Sequence, residues 1–166
     1  MFFKLKSYIK FLLKSTNQHG VHSPFVFNYV TKCLYSKQKK HFNKSINVLL
    51  KSIDYFNFDH IKALGNPSLD GAIKKVLQNQ NQAKDSIDVL YIEKLDTVMI
   101  EQILLHENLH NDSMILIDSI YQNQKKHQAW KKLIASPKIT VSLDLFHCGV
   151  LFIRKEQEKE HFTIRI

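Results

Sequence analysis

Nine histidines in a chain of 166 residues are the first place to look for chemistry. His106-Glu107-Asn108-Leu109-His110 is a formal HExxH string. On a helix its two imidazoles share one face and can ligate zinc, with the glutamate as base. A metalloprotease also needs a third ligand and an open cleft. The string instead runs into Asn111-Asp112, a helix-stop signal, so a solvated helix end is the better reading. His19 and His22 lie on a loop ahead of a helix. Cys33 and Cys148 are too far apart for metal spacing and read as reduced cytoplasmic thiols. Asp118 ends an apolar run. Paired carboxylates at such a point can bind a metal or act as a base, but a single one more often caps a helix. No Ser-His-Asp elbow, P-loop or CxxC motif is present.

The formal net charge of +9 raises a nucleic-acid or membrane partner. Arg154 and Arg165 are the only arginines among 24 basic residues. Arginine is the residue suited to bidentate phosphate and base contacts. Its scarcity disfavours nucleic acid and fits a lysine-rich codon bias. No apolar run approaches the ~18 residues of a membrane span. Lys4, Lys6, Lys10 and Lys14 interrupt the N-terminal apolar stretch, which is no convincing signal peptide. A cytoplasmic protein is expected.

The elements that must position any site follow from periodicity. Phe2, Leu5, Ile9, Leu12 and Leu13 fall at helical spacing over Phe2–Ser15. That basic helix can lie on a membrane surface, although such helices more often cap a domain core. Ser23-Pro24 is an N-cap and first helical position, followed by an apolar face from Phe25 to Leu34. A basic loop, Lys37–His41, leads to a third helix carrying Phe42, Ile46, Leu49, Leu50 and Ile53. Strands are expected at His60–Leu64, Ile87–Ile92 and Met114–Ile117, and helices at Leu69–Asn79, Thr97–His110 and Gln124–Ala135. Ile139–Leu145 and Gly149–Arg154 are too close for a helix between them and should form an antiparallel hairpin. Phe162–Ile166 alternates and adds an edge strand. The expected fold class is α/β. A helical segment, 1–56, packs on a mostly parallel sheet, 57–166, that ends in the hairpin.

A β-α succession closed by such a hairpin resembles the end of the class I SAM-dependent methyltransferase fold, which is Rossmann-like. Gln18-His19-Gly20-Val21-His22-Ser23-Pro24-Phe25-Val26-Phe27 resembles the N-terminal signature of a methyltransferase family of Bacteroidetes-type bacteria. The ending, from Ile139 through Phe152-Ile153-Arg154-Lys155-Glu156-Gln157-Glu158-Lys159-Glu160-His161-Phe162-Thr163-Ile164-Arg165-Ile166, is similar to that family's ending.

The resemblance implies S-adenosylmethionine held after the first strand, where the family has an acid and a glycine-rich turn. The matching run is Ala63-Leu64-Gly65-Asn66-Pro67-Ser68-Leu69-Asp70-Gly71. Ala63 replaces the acid, and Pro67 removes an N–H donor. If the cofactor binds at all, Gly65, Asn66, Ser68 and Gly71 line it. Two strands of the family sheet, including the one whose acid holds the ribose, have no room between Gly71 and Ile87. Glu93-Lys94-Leu95-Asp96 stands where the family shows an Asp-Gly-Asn-His-like run. Asp118, Ser119 and Tyr121 stand where it shows two aspartates and a later histidine. Glu93, Asp118 and Tyr121 are thus vestiges of an acceptor site.

The expectation is a degenerate, non-catalytic methyltransferase-like protein with an interaction or scaffold role and no cofactor. One alternative is an active methyltransferase with a rearranged cofactor loop. Another is a basic module for a membrane surface or acidic partner. Loss of a sheet wing leaves the strand near Ile61 as an edge, which a second copy or another protein could cover.

Overall fold

The computed structural model describes residues 2–64, 71–78 and 86–166. Six helices appear among them: α1 (Phe2–Lys14), α2 (Pro24–Asn28), α3 (Lys44–Phe56), α4 (Gly71–Gln78), α5 (Thr97–Leu104) and α6 (Gln124–Ala135). The strands are β1 (Ile61–Leu64), β2 (Ile87–Ile92), β3 (Leu109–Asp118), β4 (Val141–Asp144), β5 (Cys148–Phe152) and β6 (Glu160–Thr163). The expected ends of the fourth helix at Leu69 and Asn79 lie outside the described residues.

Short polar side chains start the helices where the sequence offers them. Ser23 Oγ accepts from the Val26 N–H ahead of α2, and Asn43 Oδ1 accepts from Ser45 and Ile46 ahead of α3. Asp96 and Asn123 do the same for α5 and α6. Helix α2 widens into a π-helical stretch, Tyr29–Leu34. The ammonium of Lys51 in α3 closes its end by donating to the carbonyls of Leu34 and Ser36.

The six strands form one mixed sheet in the order β1-β2-β3-β5-β4-β6. β1, β2 and β3 are parallel neighbours. β5 enters antiparallel between β3 and β4, and β6 lies parallel to β4 at the far edge. The hairpin is as expected, and the edge strand forms two residues earlier than the expected Phe162–Ile166, at Glu160–Thr163.

Thr97–His110 is not one helix. α5 stops at Leu104, and Leu105 is exposed. The chain from Leu109 pairs with β2, and the Ile87 N–H donates to the Asn108 carbonyl. Strand pairing overrides an apolar spacing that would have carried the helix on. His106 therefore lies in a turn and His110 on β3.

Alternation along the strands builds two cores. Val89, Tyr91, Met114, Leu116, Val141, Leu143, Val150 and Phe152 face α2, α3 and the buried Ile73 of α4. Leu90, Ile92, Ile115, Ile117 and Leu151 face α5, α6 and Phe11 of α1. The three N-terminal helices thus divide between the two faces of the sheet. Trp130 of α6, 1% exposed, lies on the second face over Gly149.

A Cβ at Gly149 would stand 2.4 Å from Trp130 Cζ3. Gly149→Ala is expected to destabilise the fold by about 1–3 kcal/mol through overpacking. Urea unfolding measures this, and an unchanged midpoint would contradict the contact.

Candidate functional site

The carboxyl ends of β2, β3 and β4 carry Glu93, Asp118 and Asp144, the acids nearest to a site. Glu93 and Asp118 do not face open space alone. The buried Lys126 of α6, 4% exposed, reaches the end of β2 beside them. Its Nζ donates to the Glu93 carbonyl at 2.5 Å and to Gln122 Oε1 at 3.5 Å. Burial lowers the affinity of this lysine for its proton, and the charges of Asp118 and Glu93 oppose that shift. The hydrogen-bond partners of this buried cation are thus the Glu93 carbonyl and Gln122. Asp96, three residues after Glu93, caps α5.

Tyr121 is buried, not aimed at solvent. Its hydroxyl donates to Asp144 Oδ2 at 2.5 Å, and the Phe146 N–H donates to Asp144 Oδ1 at 2.9 Å. Phe146 holds φ 64° in the tight turn between β4 and β5. Its ring stacks on Tyr121, which stacks in turn on His127. Burial raises both the Asp144 carboxyl and the Tyr121 phenol above their usual ranges, and the Tyr121 hydrogen bond opposes the Asp144 shift.

Of the cofactor-loop residues, Gly65, Asn66 and Ser68 lie outside the described residues. Gly71 is exposed at the start of α4, where an added Cβ would meet nothing within 4 Å. The HExxH pair separates: His110 Nε2 is 3.0 Å from Asp88 Oδ1, and His106 Nε2 is 3.3 Å from Lys62 Nζ. No cluster of three metal-ligating side chains occurs among the described residues. Cys33 and Cys148 are buried free thiols. Burial pushes the Cys33 thiol up to about 11 and Cys148 higher still, so neither is a ready nucleophile.

A cavity of about 650 Å³ opens beside Tyr121, between α1, α6 and the last strands. Its floor comes from alternation on β4 and β6. Val141, Leu143 and Phe162 point to the first core. Asp144, His161 and Thr163 line the cavity, and Ser142 supports His161 with a hydrogen bond of 2.8 Å. Lys10, Lys14 and Lys131 stand on its walls. The size suits a small molecule with an acidic group. The available chemistry is binding: desolvation lowers His127 and His161 and favours neutral imidazoles, and Asp144 is already occupied by its own chain. Sequence reading missed this cavity. Its one legible signal was the polar alternate positions, Ser142 and Asp144 on β4 and His161 and Thr163 on β6.

The two segments that carry the family resemblance meet in space. Ser23 Oγ donates to Gln157 Oε1 at 2.9 Å. The Arg154 guanidinium lies 4.5 Å over the Phe25 ring, and Phe25 packs edge-on against Phe152. Comparison with known protein families, curated proteins and solved structures gives no match to this chain.

Two outcomes follow. Tyr121→Phe removes a donor from a buried carboxylate and should cost about 1–3 kcal/mol in urea unfolding; an unchanged midpoint would rule that bond out as a stabilising one. Burial lowers His127 from 6.5 to about 4. Between those values the unfolded chain binds a proton that the folded protein does not, so this group's contribution falls as pH falls through the window. Asp144, shifted upward, acts in the opposite sense. His127→Gln should therefore flatten the loss of urea midpoint between about pH 7 and about pH 5. Identical pH profiles would show that His127 does not supply it.

Proposed function

We propose that this chain is a degenerate class I SAM-dependent methyltransferase-like protein that transfers no methyl group and works as an interaction or scaffold module. Its β-α succession closed by an inserted antiparallel strand supports the family resemblance. So does the contact between the two resembling segments, which gives their residues a structural reason to occur together.

The observation that carries the non-catalytic part is Lys126. Ligands of open α/β sheets bind in the crevice beyond the carboxyl ends of the strands. Here the end of β2 is met by a buried lysine of the same chain, whose ammonium donates to the Glu93 carbonyl. Tyr121, the remaining polar group of that match, is tied to Asp144. Ala63 supplies no acid for the methionine amine.

An interaction role needs a surface. β1 is the outer strand on its side of the sheet among the described residues. Its exposed Lys62 is the kind of mid-strand charge that blocks strand addition. A second copy pairing at that edge is therefore less favoured than contact elsewhere.

Calorimetric titration with S-adenosylmethionine and S-adenosylhomocysteine should give only heats of dilution. A micromolar dissociation constant for either would overturn the non-catalytic reading in favour of an active enzyme with a rearranged loop.

A further inference from the structure

Helix α1 has two apolar faces, and only one meets the protein. Ser7 and Phe11 are buried, and Phe3 and Leu12 pack half-buried against the second core. On the other side Phe2, Leu5, Ile9 and Leu13 form a line at spacings of three, four and four. They are 90%, 60%, 52% and 82% exposed. The line runs about 16 Å along the helix. Every charged side chain of α1 is a lysine: Lys4, Lys6, Lys10 and Lys14. Lys6 and Lys10 follow the line along one flank at 100° per residue. Lys4 and Lys44 gather with Leu5 and Tyr8 at an open, mainly apolar recess of about 510 Å³.

We propose that α1 docks with this line facing an anionic lipid surface, lying in the plane of the membrane. The inference supplies a surface for the interaction role proposed above. Its test does not involve the cofactor, so the two readings can fail separately. No helix among the described residues is long and apolar enough to cross a membrane. An in-plane helix needs an apolar stripe for the acyl boundary and flanking lysines whose stems reach headgroup level. α1 presents both on its outer side. An acidic peptide would answer the lysines and leave the apolar line wet. The inner contacts already hold α1 helical, so docking does not have to order it.

The full chain is co-sedimented with phosphatidylcholine vesicles, with and without about 30% phosphatidylglycerol. Binding is expected only to the anionic vesicles and should weaken at high salt. Ile9→Asp, at an exposed position, should keep the circular dichroism spectrum and reduce binding at least about tenfold. Lys155→Gln, beyond the opposite end of β5 from Phe146, should change it little. Absence of binding to anionic vesicles, or equal binding by Ile9→Asp, overturns the proposal. Light scattering is run alongside: a dimer that Ile9→Asp dissociates means that a second copy covers the line, and this overturns it as well.

Discussion

The indole of Trp130 rests against the backbone of β5 at Gly149, where any side chain would collide with it. That contact fixes the distance between α6 and the sheet. β5 is the strand inserted between β3 and β4, so both halves of the sheet are joined through it. With α6 held this close, Lys126, one turn before Trp130, reaches the Glu93 carbonyl at the end of β2. His127 is brought onto Tyr121 by the same placement. The internal cation and the aromatic stack are both consequences of one missing Cβ.

Desolvation then governs the polar groups. Asp144, Tyr121, Lys126 and His127 all lie where water is scarce, and each is shifted toward its neutral form. Such shifts cluster at catalytic sites, but structural networks produce them too. Here the partners are on the same chain: Tyr121 with Asp144, and Lys126 with the Glu93 carbonyl. Tyr121, Asp144 and Lys126 are satisfied from within, whereas the buried Nδ1 of His127 has no hydrogen-bond partner among the described residues.

The N-terminal helices tie the two ends of the chain together. α2 meets the C-terminal segment through Ser23, Phe25, Arg154 and Gln157. The Thr16 N–H donates to the Thr163 carbonyl, and the Arg165 N–H donates to the Thr16 carbonyl. α1 crosses to the other face, covers part of the second core, and leaves its outer line bare. The segment around Ser23 and Phe25 and the C-terminal segment thus form an architectural joint.

Residue periodicity alone determined most of the elements. The helix start at Ser23 was legible because capping is local. The hairpin was legible because three residues between Asp144 and Cys148 leave no room for a helix. Tertiary structure decided what depends on pairing between distant segments. The apolar spacing through Leu104, Leu105 and Leu109 read as helix until β2 took the chain from Leu109 as a strand. Lys126 was one lysine among many, and only the approach of α6 to the sheet buried it. The stripe on α1 was visible as a pattern, yet a sequence cannot say which of two apolar faces a core will take. The packing of Phe3 and Phe11 made that choice and left Phe2, Leu5, Ile9 and Leu13 to the solvent.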